Sequence, residues 1–309
     1  MKKLLVTTFA FLVLSAAVAN AQDPEFDKGL QQFNAKQYEA AAETFTQITI
    51  KQPTNKAAHY NRGMSFFNLR RYADALPSFQ RASELDKTDS KPYEYIGRSC
   101  ILLKRYTDAA AAFRSQLAIV PDNFNANYFL GYSLYEAKNY PEAERYAKEA
   151  TRLKPNDAGA YTSLGKILNA QKRYQDSVAP LTEALRLDPK ISDAHFGLGN
   201  SFYNRGLYAE SIPYYAKAAE LSPNSSLAFA YLGDAYLNTR QNEKAIEIYK
   251  KSIALDAKEV VAQMGLGLAY MNLKNYAGVR TQIAVLQVLD AEKAKDLQAR
   301  AEKAGMPAQ

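Results

Sequence analysis

The sequence is poor in the residues that build metal centres and disulfide frameworks. Its 309 residues include one cysteine and two histidines. A single cysteine excludes a disulfide framework and a multi-thiolate metal site, and two histidines exclude a three-histidine zinc site. The sequence also has no glycine-rich phosphate loop, no HExxH or GxSxG motif and no Rossmann glycine pattern. No residue constellation therefore predicts catalysis, and we expect neither a metal nor a cofactor.

Composition and charge exclude two further classes. With 47% hydrophobic and 12% aromatic residues, the chain is too apolar for intrinsic disorder. Its 14 glycines and 12 prolines are an ordinary number, so it is neither collagen-like nor a linker. The net charge of +7 is modest for this length. We therefore expect a folded chain.

The N-terminus has the pattern of a targeting segment. Two lysines precede an apolar stretch from Leu4 to Leu14, and Ala19-Asn20-Ala21 forms an A-x-A cleavage site before Gln22. This order is typical of a Sec signal peptide, and the apolar stretch is too short for a membrane span. We expect cleavage after Ala21 and a mature chain that is periplasmic or secreted. Such a chain has no transmembrane segment and meets no nucleic acid.

A period of 34 residues organises the rest of the chain. Tyrosine follows the repeated glycine by nine residues in seven of eight units, and apolar residues within each unit recur at helical spacing. A fixed period of this length is typical of a repeat solenoid. The repeated glycines are Gly29, Gly63, Gly97, Gly131, Gly165, Gly199, Gly233 and Gly267. Glycine inside a helix costs about 0.5–1 kcal/mol, so its repetition implies a compensating gain. We expect that gain to be close contact between the two helices of a unit, with a small residue such as Ala41 facing the glycine.

These signals divide the chain into three parts. They are the signal peptide over residues 1–21, eight helix-turn-helix units over 22–291, and a capping helix with a tail over 292–309. Asp290 can begin the capping helix and Gly305 can end it. The predicted units are 22–55, 56–89, 90–123, 124–157, 158–191, 192–225, 226–259 and 260–291.

The chain resembles the tetratricopeptide repeat family. The family pattern is a large residue followed by Leu, Gly, Tyr, Ala, Phe, Ala and Pro at set offsets. In the fifth unit it corresponds to Tyr161, Leu164, Gly165, Leu168, Ser177, Leu181, Ala184 and Pro189. The resemblance implies an all-α superhelical solenoid whose first helices line a concave, partner-binding groove. The family's carboxylate clamp for chaperone C-termini is absent, because Phe26, Leu30 and Tyr95 depart from it.

Residues that point into this groove are our candidate binding residues. Aromatic rings supply contact area, while amides and charges orient an extended peptide. Some of these rings could instead pack between neighbouring repeats. The candidates are Tyr60, Met64, Phe67, Lys91, Arg98, Tyr128, Tyr132, Tyr135, Lys166, Asn169, Phe196, Asn200 and Tyr203.

Two other residue sets have both a functional and a structural interpretation. A basic residue ends the first helix of seven units, with Gly206 as the exception. This row is either a cationic edge for an anionic polymer or a set of cations at helix C-termini, where the dipole favours them. His59 and His195 share one repeat position, where packing is favoured over catalysis. The basic row is Lys36, Arg70, Lys104, Lys138, Lys172, Arg240 and Lys274.

The sequence thus predicts a non-enzymatic interaction scaffold of the bacterial cell envelope. Its partner would be an extended peptide or protein segment held in the concave groove. Two alternatives remain open. One is a module for glycans or anionic envelope polymers, which would use the basic edge. The other is a structural protein that self-assembles into a homo-oligomer through its terminal repeats. In the last repeat an aliphatic stripe is either covered by the C-terminal tail or a contact surface for a partner or second copy; it consists of Val261, Met264, Leu268 and Met271.

Overall fold

The computed structural model describes residues 23–307, so the predicted signal peptide lies outside the described residues. This range contains 17 α-helices and no strand, which confirms the all-α prediction. The helices have 11 to 14 residues, and within residues 23–307 none is both long and apolar enough to cross a bilayer.

Short turns alternate with helices of nearly constant length. The helices are α1 Pro24–Asn34, α2 Tyr38–Lys51, α3 Lys56–Asn68, α4 Tyr72–Leu85, α5 Lys91–Leu102, α6 Tyr106–Ile119, α7 Phe124–Glu136, α8 Tyr140–Leu153, α9 Ala158–Ala170, α10 Tyr174–Leu187, α11 Ser192–Asn204, α12 Tyr208–Leu221, α13 Ser226–Asn238, α14 Asn242–Leu255, α15 Val260–Asn272, α16 Tyr276–Leu289 and α17 Ala291–Lys303.

The chain divides into two compact units, Met1–Pro92 and Tyr93–Gln309. In the first unit, α2 packs against α1 and α3, and α4 packs against α3. In the second unit, each helix from α6 to α16 packs against the next one, and α17 packs against α15 and α16. The domain boundaries drawn from the 34-residue period remain a prediction.

The basic row occupies a special backbone position. All seven of its residues have φ between 58° and 61°, in the left-handed region, and Gly206 at the eighth equivalent position has φ 78°. At Lys36, the amides of Lys36 and Gln37 donate to the carbonyls of Phe33 and Gln32, which is the pattern of a Schellman C-cap. These cations therefore end the first helices, where the dipole favours positive charge and offsets part of the left-handed strain.

Most of the repeated glycines contact a large side chain from another helix. A β-carbon added at the glycine would lie within 2.3–2.8 Å of that side chain in six of the eight units. The residue nearest the glycine is thus a bulky one, rather than the small residue we expected. The pairs are Phe45 on Gly29, Phe79 on Gly63, Phe113 on Gly97, Leu181 on Gly165, Tyr215 on Gly199, and Tyr249 on Gly233.

Two units use a different contact. In the fourth unit Ala147 replaces the bulky residue, and the atoms nearest a β-carbon at Gly131 are the Ala143 carbonyl and the Ala147 amide, each at 3.4 Å. In the eighth unit Leu297 of α17 comes within 2.4 Å of a β-carbon at Gly267. The last helix therefore supplies the bulky side chain for the final pair, and Leu297 is fully buried there.

We expect Gly165→Ala to destabilise the protein by about 1–3 kcal/mol, because its new methyl group would overlap the fully buried Leu181. Gly131→Ala is the matched control. Its methyl group has room, and the better helix propensity of alanine contributes about 0.5–1 kcal/mol. Thermal unfolding of both variants checks this comparison, and equal melting temperatures would contradict it.

Candidate functional site

Two adjoining cavities open between the first helices of the second compact unit. The larger has a volume of about 520 Å³ and the smaller about 380 Å³. Both are lined mainly by residues of the first helices, from α7 to α13, and they share Tyr135, Lys166, Ser192 and Asp193. We call this pair of cavities the groove. Eight of the predicted binding residues line it: Tyr128, Tyr132, Tyr135, Lys166, Asn169, Phe196, Asn200 and Tyr203.

The smaller cavity has a wall of three half-buried tyrosines from α7. Tyr128, Tyr132 and Tyr135 stand three or four residues apart, so they share one helix face. Tyr128 also stacks on Phe124, with ring centroids 5.9 Å apart, and Tyr132 meets Tyr106 edge-on at 6.3 Å. Burial raises the pKa of Tyr128 and Tyr135, so both hydroxyls stay protonated near neutral pH. The rings therefore pack on neighbours and line the cavity at the same time.

The larger cavity combines rings with amides. Phe196 meets Tyr231 edge-on at 5.4 Å, and both line this cavity with Tyr203. Asn200 accepts a hydrogen bond at Oδ1 from the Tyr215 hydroxyl, at 2.7 Å. Its amide nitrogen makes no hydrogen bond within the described residues. Two N–H donors of Asn200 are therefore available to a ligand in this cavity.

A salt bridge joins the two cavities. Lys166 Nζ lies 3.1 Å from Asp193 Oδ2, and both side chains are partly exposed. Because the two charges cancel, the middle of the groove carries little net charge. Asp193 was not among the predicted residues. Lys91 was predicted, and it occupies the same repeat position three units earlier.

Asn169 is largely committed to the fold. Its Oδ1 accepts hydrogen bonds from Ser177 and Ser201, at 2.7 and 3.0 Å, and its Nδ2 donates to the Gly197 carbonyl at 2.8 Å. At most one N–H remains for a ligand. Asn169 therefore orients neighbouring helices and contributes less to binding than Asn200.

The remaining predicted residues lie elsewhere. Tyr60, Met64, Phe67 and Lys91 belong to the first compact unit, where Tyr60 contacts Phe79 edge-on at 5.7 Å. Phe67 contacts Tyr72 edge-on at 5.3 Å. In the second unit, Arg98 forms an ion pair with Glu94 at 3.4 Å and does not line the groove. The described cavities thus concentrate the candidate site on the fourth to seventh repeats.

A carboxylate that sequence analysis did not select lies on α13, one helix turn after Tyr231 of the groove lining. The Tyr249 hydroxyl donates to Asp234 Oδ1 at 2.5 Å. Burial raises the pKa of Asp234 to about 6, while the Tyr249 hydrogen bond lowers it and the negative charge of Glu259 raises it further. Burial also raises the pKa of Tyr203, and the Asp234 charge adds to that shift. Asp234 is therefore ionised at neutral pH at a cost in stability.

Each of the two histidines makes a hydrogen bond to a carbonyl in the turn before its helix. Nε2 of His59 donates to the carbonyl of Pro53, and Nε2 of His195 to that of Pro189, each at 3.0 Å. Asn127 and Gln263 occupy the same repeat position and donate to the carbonyl six residues earlier, at 3.2 and 2.8 Å. The position therefore fixes the turn between repeats, and an amide performs this role as well as an imidazole does.

The repeat family is identified by its sequence model. A tetratricopeptide repeat model matches residues 26–90, 103–158, 128–190, 162–226 and 231–279, and a second one matches 214–247. The chain belongs to the tetratricopeptide repeat family, whose members are generally non-catalytic scaffolds for protein interactions. Among proteins with curated descriptions, none matches the sequence significantly.

Solved structures show the same fold at low sequence identity. The C-terminal part of a repeat protein from Cytophaga hutchinsonii is 20% identical, with a TM-score of 0.61 over 78% of this chain and 99% of that one. A repeat protein from Parabacteroides merdae is 17% identical, with a TM-score of 0.59 over 80% and 97%. PilF of Pseudomonas aeruginosa is 18% identical, with a TM-score of 0.60 over 70% and 98%.

We expect Asp234→Asn to stabilise the protein by about 1–2 kcal/mol at pH 7.5, because it removes a buried charge and keeps an acceptor for Tyr249. A pKa raised to about 6 means that folded Asp234 takes up a proton before the unfolded chain does. The penalty of the charge therefore shrinks as the pH falls from about 6 towards the unfolded value of 3.8. Thermal unfolding at pH 7.5 and 4.5 measures the difference, and an equal gap at both pH values would contradict this explanation.

Proposed function

We propose that the protein is an interaction scaffold that holds an extended segment of a partner protein in its groove. The segment would lie across the first helices α7, α9, α11 and α13. The observation that carries this proposal is the continuity of the two cavities, which share four residues and are walled by tyrosines with amide donors between them. Tyrosine rings bury large areas at little cost in side-chain entropy, and unpaired amide hydrogens suit a peptide backbone.

The charges of the groove support a peptide rather than an anionic polymer. Lys166, the cation among the residues that line the two cavities, has a carboxylate partner in Asp193. An anionic polymer needs several uncompensated cations to gain affinity from released counterions or a long-range field. The exposed cations of the basic row are instead accounted for by their left-handed C-cap positions.

The N-terminal segment supports an envelope location for this activity. Residues 1–21 have the charge, apolar length and small-residue cleavage site of a signal peptide. The partner would then be another protein of the periplasm or cell surface.

Tyr135 offers the most direct test, because it lines both cavities. We expect Tyr135→Ala to weaken binding of the groove's partner at least tenfold, which is the loss typical of a central aromatic contact. Immobilised protein, residues 22–309, is exposed to an envelope extract, and captured proteins are quantified for the parent and the variant.

The matched control is Tyr146→Ala. Tyr146 is a half-buried tyrosine of α8 that contacts Arg145 and lines neither cavity. Circular dichroism confirms that both variants remain helical. A partner retained by the parent and by Tyr146→Ala, but lost from Tyr135→Ala, supports the proposal. Retention of the same proteins by all three would remove the groove assignment.

A further inference from the structure

One row of residues runs along the groove from repeat to repeat. Lys166, Asn200 and Asp234 occupy the same position of consecutive first helices, 34 residues apart. The first two line the larger cavity. Asp234 stands three residues after Tyr231 and seven after Leu227, so it shares a helix face with two further residues of that lining. Asp234 is not itself in either lining; it continues the row one repeat beyond Asn200, one helix turn from Tyr231 of the larger cavity.

The structural task at this position does not require a charge. At Asn200, the Tyr215 hydroxyl donates to a neutral amide oxygen at 2.7 Å. At Asp234, the Tyr249 hydroxyl donates to a carboxylate oxygen at 2.5 Å. Tyr215 and Tyr249 are equivalent residues that rest on equivalent glycines. Since an amide accepts this hydrogen bond one repeat earlier, the negative charge of Asp234 has no role in holding the tyrosine.

Over residues 23–307 the charge of Asp234 also has no counter-charge. Within the described residues no lysine, arginine or histidine lies at ion-pair distance from its carboxylate, whereas Lys166 is paired with Asp193. The groups that act on Asp234 are the Tyr249 hydroxyl and the carboxylate of Glu259, and Tyr203 and Tyr231 feel its charge in turn. A buried charge without a counter-charge is costly. A cation supplied by a ligand would remove that cost.

We infer that Asp234 receives a lysine or arginine side chain of the segment that binds in the groove. Tyr203 and Tyr231, which wall the cavity beside it, present ring surfaces that also attract cations. A metal ion is a poor match, because one carboxylate among phenol rings does not supply the several oxygen ligands that such ions need. This inference rests on the proposed function and adds to it the charge and position of one ligand residue.

A peptide selection tests the inference on the whole mature chain. Immobilised protein, residues 22–309, selects binders from a display library of random 12-residue peptides, and binders that Tyr135→Ala does not retain are synthesised. Each is made again with its lysine or arginine replaced by norleucine. Dissociation constants are measured for the parent, for Asp234→Asn and for the control Glu247→Gln, which neutralises an exposed carboxylate of α14 paired with Lys251.

We expect the selected peptides to contain a basic residue whose replacement weakens binding to the parent at least tenfold. Asp234→Asn should weaken the original peptide by a similar factor and show no further loss with the norleucine peptide, since both changes remove one interaction. Glu247→Gln should bind like the parent. If Asp234→Asn does not fold, the norleucine substitution still tests the inference on the parent.

The alternative outcomes separate this inference from the proposed function. Peptides that depend on Tyr135 but bind equally well with norleucine, or equally well to Asp234→Asn, would overturn the role of Asp234 and leave the groove assignment intact. A library that yields no Tyr135-dependent peptide would overturn the peptide-binding groove and the role of Asp234 together.

Discussion

A bulky side chain that rests on a glycine of a neighbouring helix sets the spacing of most repeats. Glycine inside a helix lowers the stability of the fold. The contact offsets this free-energy cost by burying a phenylalanine, leucine or tyrosine completely. Such contacts bring the first and second helices together, and the position of the first helices then determines the width of the groove. Three of the four repeats that build the groove depend on this contact.

In the sixth and seventh repeats the bulky residue also makes a polar contact, which in the sixth repeat reaches the groove. The rings of Tyr215 and Tyr249 are buried, and their hydroxyls donate hydrogen bonds to Asn200 and Asp234. These two residues directly follow the glycines on which the rings rest. Where the bulky residue is phenylalanine, as in the first three repeats, the corresponding position holds Leu30, Met64 or Arg98. In the sixth repeat, core and groove are thus coupled through one side chain.

The sequence predicted the helical repeats because a 34-residue period imposes the same local pattern many times. It predicted the aromatic wall of the groove because residues three and four apart share a helix face. It did not predict the role of Asn169, whose hydrogen bonds reach a second and a third helix. Asp193 and Tyr231 were missed because inward positions were sought within single repeats, whereas each cavity is closed by neighbouring repeats. One signal for the left-handed caps was available in the sequence. Position 206 of the otherwise basic row is a glycine, the residue that adopts positive φ most readily.

Cross-linking from within the groove tests the central claim most directly. A photoreactive benzoylphenylalanine at position 135 of the mature chain is irradiated in an envelope extract, the same residue at position 146 serves as the control, and the attached peptides are identified by mass spectrometry. A single extended segment attached at 135 and absent at 146, with a lysine or arginine toward its Asp234 end, is the result predicted here. The same mixture of peptides at both positions would show that the groove holds no specific partner.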